Sequence, residues 1–151
     1  MKIKNLIISI LIPLFVGGLS SLLTGNGMKS YKILNKPPLS PPGIVFPIVW
    51  TILFILMGIS SYLIYKERHN EKALKLYALQ LIFNFFWTII FFGLKLRFLA
   101  IIWILILLAL IILMIQEFLK LNKTAGYLQI PYLMWTTFAT YLTIAIYILN
   151  R

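Results

Sequence analysis

The chain contains no cysteine, no aspartate and a single histidine. Without a thiol there is no disulfide, no cysteine nucleophile and no thiolate metal site. Without aspartate no Ser-His-Asp triad can be assembled, and His69, in a hydrophilic stretch beside Arg68 and near Glu71, stands in the wrong place to substitute for one. One histidine with distant glutamates makes no metal shell, so neither a metal nor a cofactor is expected. Acid is scarce as well: three acidic residues face fourteen basic ones, for a formal net charge of +11. In a soluble protein that balance would point to nucleic acid. Here Lys and Arg are scattered over loops and helix ends, without the clustered footprint that tracks a phosphate backbone, so no nucleic-acid partner is expected. At such positions they snorkel and attract anionic lipid headgroups.

Long apolar runs dominate what remains. They cover Ile3–Leu23, Ile44–Tyr65, Leu74–Leu94, Phe98–Leu119 and Gly126–Leu149, and a helix of about 20 apolar residues matches the hydrocarbon thickness of a bilayer. With 62% hydrophobic and 11% charged residues and a mean hydropathy of +0.98, the chain lies far from soluble usage, and a small globule could not hide that much apolar surface. The expected fold is all-α: a polytopic membrane protein, one bundle of five transmembrane helices forming a single domain over residues 1–151, without internal repeats. Its expected setting is a bacterial cell membrane. The first run resembles a signal peptide in its Lys2 and Lys4 flank, but it continues to Leu23, and retention as the first span is expected. If spans alternate, Lys2, Lys4, Lys66, Arg68, Lys72, Lys75, Lys120 and Lys123 share one side, eight against six on the other, a slight bias toward an N-terminus inside.

Each span has its own chemistry. Span one carries Pro13, Gly17, Gly18, Ser20 and Ser21, and Gly17 and Ser21 lie one turn apart, a signal for close helix packing. The connection Thr24–Gly43 contains Pro37, Pro38, Pro41 and Pro42, which make it stiff; a lid over one end of the bundle and a rigid spacer are both open readings. Span two has Pro47 in its first turns, then Trp50, then Gly58 and Ser61 as a second close-packing face. On span three Gln80, Asn84 and Trp87 follow at i, i+4 and i+7 and point the same way. An amide there must face protein, water or ligand, so interhelical hydrogen bonding and ligand lining both remain open. Span four, almost uniformly Ile and Leu, reads as a lipid-facing helix with little chemistry. Span five puts Tyr132, Trp135 and Ala139 on one face and Thr136, Thr140 and Thr143 on another, with Tyr127 and Tyr147 suited to the membrane interface.

The run Asn35-Lys36-Pro37-Pro38, Pro41-Pro42, then Phe46-Pro47 with Trp50-Thr51, then Met57-Gly58 resembles the TspO/translocator protein family, also called tryptophan-rich sensory proteins or peripheral benzodiazepine receptors. Further matches stand in the expected order: Pro13 with Gly17-Gly18; Asn84 and Trp87 with Phe91-Phe92-Gly93; Pro131-Tyr132-Leu133 and Trp135 with Ala139-Thr140-Tyr141-Leu142. The resemblance covers essentially the whole chain. It implies a five-helix bundle, usually a homodimer in contact with membrane lipids, with a pocket near the first loop. Members of the family bind porphyrins and related tetrapyrroles, sterols, and isoquinoline carboxamides or benzodiazepines. The ligand-binding residues it implies here are Trp50, Asn84, Trp87, Trp135, Ala139, Leu142, Gly18, Phe46 and Pro42. Aromatic faces to stack a flat ring, with a few amides and hydroxyls, agree with such a site.

The chain departs from the family twice. Leu39 stands where members usually have tryptophan in the proline loop, and Ile144 where some bacterial members have one in the last span. Light-dependent porphyrin breakdown, attributed to pocket tryptophans in bacterial relatives, is therefore expected to be slow or absent, with Trp50 the ring that would carry it. The expected function is a receptor or carrier of porphyrin-like ligands; a light-dependent porphyrin-degrading enzyme and a regulatory or structural membrane subunit are the alternatives. The run from Leu142 through Tyr147 to Arg151 fits a loose sterol pattern that a helix end at the interface also produces by chance.

Overall fold

The computed structural model describes residues 3–24 and 31–150. All regular structure among them is helical: α1 (Ile3–Thr24), α2 (Val45–Tyr65), α3 (Glu71–Thr88) continued by a π-helical turn (Ile89–Gly93), α4 (Arg97–Leu121), α5 (Lys123–Leu128) and α6 (Ile130–Leu149). Taking α3 with its π turn and α5 with α6, five helical segments are long and apolar enough to cross a membrane. The protein is an integral, multi-pass membrane protein. The spans fall where hydropathy puts them, but the third starts earlier, at Glu71, and the fifth is broken near Gln129. Pro131 explains the break, since it has no N–H to continue the ladder.

Helix α1 lies along α2 and touches α3, α3 lies along α4, and α4 packs on α6 and α5. Gly58 sets the closest approach: a Cβ there would run into the Ile10 Cα and the Ser9 carbonyl of α1. In lipid, where burying apolar surface from the solvent drives little, such close backbone contact is the main source of helix affinity. Of the small residues in α1, Gly17 makes room for the Phe54 ring, while a Cβ at Gly18 would meet nothing within 4 Å. Ser60 donates to the Ala125 carbonyl at 2.7 Å and anchors α5 on α2.

Span four differs from its expectation. One face of α4, with Ile102, Leu105 and Leu113, is exposed, but Ala100, Ile104, Leu107, Ile111, Met114, Ile115 and Phe118 are buried in the core. The peripheral helix is instead α1, in which only Pro13 and Ser20 are buried. Apolarity all round could not separate these cases, because lipid and a neighbouring helix present the same chemistry to Ile and Leu.

The π turn lets three successive side chains, Ile90, Phe91 and Phe92, point inward together. The described part of the first loop lies across the end of the bundle next to that turn. Tyr31, 2% exposed, packs edge-on against Phe46 and Phe92 with centroids 5.1 and 5.9 Å away, and its hydroxyl donates to the Pro41 carbonyl at 2.9 Å. Burial pushes that hydroxyl's pKa up, so it stays a donor at neutral pH. The Asn150 amide bonds both the N–H and the carbonyl of Asn35, at 3.1 and 2.8 Å, and Tyr141 donates to the Pro38 carbonyl at 2.8 Å. The loop is thereby tied to α6 at two points. Leu39 sits at its tip, 84% exposed, with φ 71°.

Candidate ligand cavity between the first three helices

Between α1, α2 and α3 is a cavity of about 310 Å³, at the lower end of the range for small-molecule sites. Helix α1 contributes Leu14, Gly17, Gly18, Ser20 and Ser21; α2 contributes Phe46, Pro47, Trp50, Thr51 and Phe54; Asn84, Thr88 and Phe92 close it from α3 and the π turn. The space exists because α1 offers glycine and serine where a larger side chain would fill it. Ser21 and Thr51 are exposed, so the cavity opens sideways, between α1 and α2, toward the lipid.

Aromatic rings form one wall. Trp50 stacks on Phe54 at 5.5 Å with their planes 24° apart, and meets Tyr132 and Trp135 edge-on at 6.1 and 6.4 Å. Phe46 and Phe92, 5.6 Å apart, close the loop end, with Tyr31 behind them. Among the described residues no charged one lines the cavity, and no His, Cys, Asp and Glu group could hold a metal.

The polar face of α3 is buried: Gln80 is 0% and Asn84 2% exposed. Asn84 Nδ2 donates to the Tyr132 hydroxyl at 2.8 Å, Tyr132 donates to Gln80 Oε1 at 2.7 Å, and Gln80 Nε2 donates to the Tyr77 carbonyl at 3.0 Å. Asn84 thus does both things left open by its sequence position. It bonds across to α6 and it lines the cavity.

Of the residues singled out from sequence, Gly18, Phe46, Trp50 and Asn84 come together in this cavity. The others do not line it. Trp87 is buried one layer behind Phe92 and stacks on Phe91 at 5.3 Å, its indole N–H without a partner among the described residues. Trp135 stands behind Trp50 and Phe46 and faces an outer groove of about 500 Å³ with Val49, Leu53 and Phe138. Ala139 and Leu142 are buried in the core cluster around α6, and Pro42 is exposed on the loop. Among the α6 residues, Trp135 is separated from the cavity by the Phe46 and Trp50 rings, which it meets edge-on. The outer groove, and a smaller one between α1 and α3 lined by Phe15, Leu81 and Phe85, are apolar surface channels suited to acyl chains and lack the polar groups that orient a ligand.

Sequence reasoning missed Phe54, Phe92, Thr51, Thr88 and the serines of α1 as lining residues, and Tyr132 as the anchor of Asn84. Signals were present for two of them. Phe54 follows Trp50 at i+4, on the same face, and Phe92 belongs to the Phe91-Phe92-Gly93 motif.

Comparison with known proteins agrees with the fold. The family model described as TspO/MBR family matches residues 9–149. The "Tryptophan-rich protein TspO" of Archaeoglobus fulgidus is 36% identical over 99% of both chains. The "Tryptophan-rich sensory protein" of Cereibacter sphaeroides is 38% identical over 73% of this chain and 70% of its own length. The human "Translocator protein" is 35% identical over 88% of this chain and 80% of its own.

Proposed function

The chain belongs to the TspO/MBR family, and from that premise we propose that it is a membrane receptor or carrier for porphyrin-like tetrapyrroles and related flat hydrophobic ligands, held in the cavity between α1, α2 and α3. The observation that carries this reading is the uncharged aromatic wall of Trp50, Phe54, Phe46 and Phe92 beside a single buried amide. Flat rings gain most against such walls, and one or two polar groups suffice to orient them. A cavity of about 310 Å³ encloses a two- or three-ring ligand or one edge of a macrocycle, whose remainder stands in the opening between α1 and α2. A homodimer belongs to the same proposal and is checked by the mass of the protein in detergent.

The test is a titration of the purified protein with protoporphyrin, first in darkness and then in light. Saturable quenching of tryptophan fluorescence in the dark, weakened about fivefold or more by Trp50→Ala, is the expected result, since buried aromatic anchors cost roughly 1–3 kcal/mol when truncated. Rapid appearance of a new absorbing product in light, abolished by Trp50→Phe, would overturn the receptor reading in favour of an enzyme. Absence of any saturable binding would leave a subunit acting through helix contacts.

A further inference from the structure

We infer that the cavity's buried amide is held as a hydrogen-bond acceptor by the chain Tyr77–Gln80–Tyr132–Asn84, so that the site selects ligands presenting an N–H or O–H donor at that point. This rests on the cavity being the ligand site. It adds which polar chemistry the site takes, and it assigns Gln80 and Tyr132, neither of which lines the cavity, as positioning residues.

The chain has one fixed end. Its terminus is the backbone carbonyl of Tyr77, which can only accept, so the group of Gln80 at 3.0 Å from it must be the NH₂. That turns Gln80 Oε1 toward Tyr132, 2.7 Å away, and obliges the phenol to donate. With its proton committed, the Tyr132 oxygen can only accept from Asn84, 2.8 Å away, which must therefore offer Nδ2. Asn84 Oδ1 is left on the other side of the amide. Among the described residues no donor bonds it, and Asn84 itself lines the cavity. Amide orientation is usually a choice between two nearly equal fits; here one backbone carbonyl decides every link.

Two of the four hydroxyls that line the cavity lean the same way, while those of Ser21 and Thr88 have no such carbonyl partner among the described residues. Ser20 donates to the Phe85 carbonyl at 2.8 Å and Thr51 to the Pro47 carbonyl at 2.7 Å. Each has spent its proton and turns only lone pairs to a ligand. Trp50 brings an indole N–H to the same wall, so acceptor groups also have a partner. The amide, however, is buried and rigid, and a ligand carbonyl opposite Oδ1 would face a second acceptor in a low-dielectric site. An outward-facing N–H, as on carbazole or an open-chain pyrrole, would be satisfied there, whereas the N–H groups of a closed porphyrin point into its own ring centre.

Two probes of one size separate the chemistries: carbazole, a flat three-ring N–H donor, and fluorenone, a flat three-ring carbonyl acceptor. Both are measured by displacement of protoporphyrin from the purified protein. Because partition into detergent is common to all variants, the change in the carbazole-to-fluorenone ratio between variants reports the cavity. The wild type is expected to favour carbazole about fivefold relative to Asn84→Leu, the size of one net hydrogen bond. In Gln80→Leu the phenol is free to donate to Asn84 Oδ1, which turns the NH₂ toward the cavity, and the ratio should fall to the Asn84→Leu value or below. Tyr132→Phe removes only the hydroxyl and should lower the ratio too, which keeps the test alive if Gln80→Leu fails to fold. A wild-type ratio equal to that of Asn84→Leu, or a ratio unchanged by both Gln80→Leu and Tyr132→Phe, overturns the inference while the cavity reading stands. Failure of both probes to displace protoporphyrin overturns the cavity reading and this inference together.

Discussion

The α1 side of the bundle and the α4 side are built from nearly the same apolar residues and end up opposite in kind. Helix α4 sends Ile104, Leu107, Ile111, Met114 and Phe118 into the core, each at most 1% exposed, and packs against α3, α5 and α6. Helix α1 rests mainly on α2, buries only Pro13 and Ser20, and places Gly17, Gly18, Ser20 and Ser21 where α4 has large side chains. One side is filled and holds the fold together; the other is left open, and its cavity is the one proposed to hold a ligand. In a membrane bundle, then, a cavity is made by missing side-chain volume as much as by the polar groups beside it.

The largest effect should come from breaking the filled side. Ile111→Ala leaves a void among residues that cannot collapse onto it, and should cost about 2–4 kcal/mol, read as a lower unfolding temperature in detergent with protoporphyrin affinity little changed. The contrast between the two sides fails if affinity falls in step with stability.

Gly58→Val attacks a close backbone contact between α2 and α1. Its side chain would meet the α1 backbone at Ile10 and Ser9, and overpacking of this kind costs roughly 1–3 kcal/mol. Since α1 forms one wall of the cavity, binding should weaken together with stability. A variant as stable as the parent would mean that α1 is not seated through this glycine.

Gly18→Leu sharpens the comparison from the open side. A Cβ there meets nothing within 4 Å, so stability should change by no more than about 0.5 kcal/mol, as at an unobstructed surface position, while protoporphyrin binding is lost. Retained binding at parental affinity would move the ligand out of this cavity.

The smallest effect belongs to the loop. Leu39 is held at φ 71° with its side chain in solvent, a conformation that costs an L-residue roughly 1–2 kcal/mol and glycine nothing. Leu39→Gly should therefore be neutral or stabilising by up to about 1 kcal/mol, because added freedom in the unfolded chain offsets part of the relief. It should leave binding unchanged, as the side chain points away from the cavity wall. A clear loss of affinity would show that Leu39 covers the ligand after all.

Much of the polar side of the site was legible. The i, i+4 spacing of Gln80 and Asn84 marked a buried face of α3, and Trp50 and Gly18 were marked by the motifs around them. Trp87, Trp135, Ala139 and Leu142 were equally conspicuous by type, yet they lie behind the cavity or in the core. A residue's face on its own helix follows from sequence spacing, but the distance of that helix from its neighbours does not. At Trp135 that distance is taken up by the Phe46 and Trp50 rings.

Hydropathy along the chain was enough to settle the solvent and the five spans, because these depend on transfer between water and hydrocarbon, a local quantity. Only the tertiary structure decided which helix is peripheral, where the empty volume lies and which way the Asn84 amide points. Lipid is as apolar as leucine, so hydropathy cannot distinguish a face turned to the core from one turned to the bilayer. That choice is made by shape and hydrogen bonding between residues far apart in the chain: Gly58 against Ile10, and Asn84 against Tyr132.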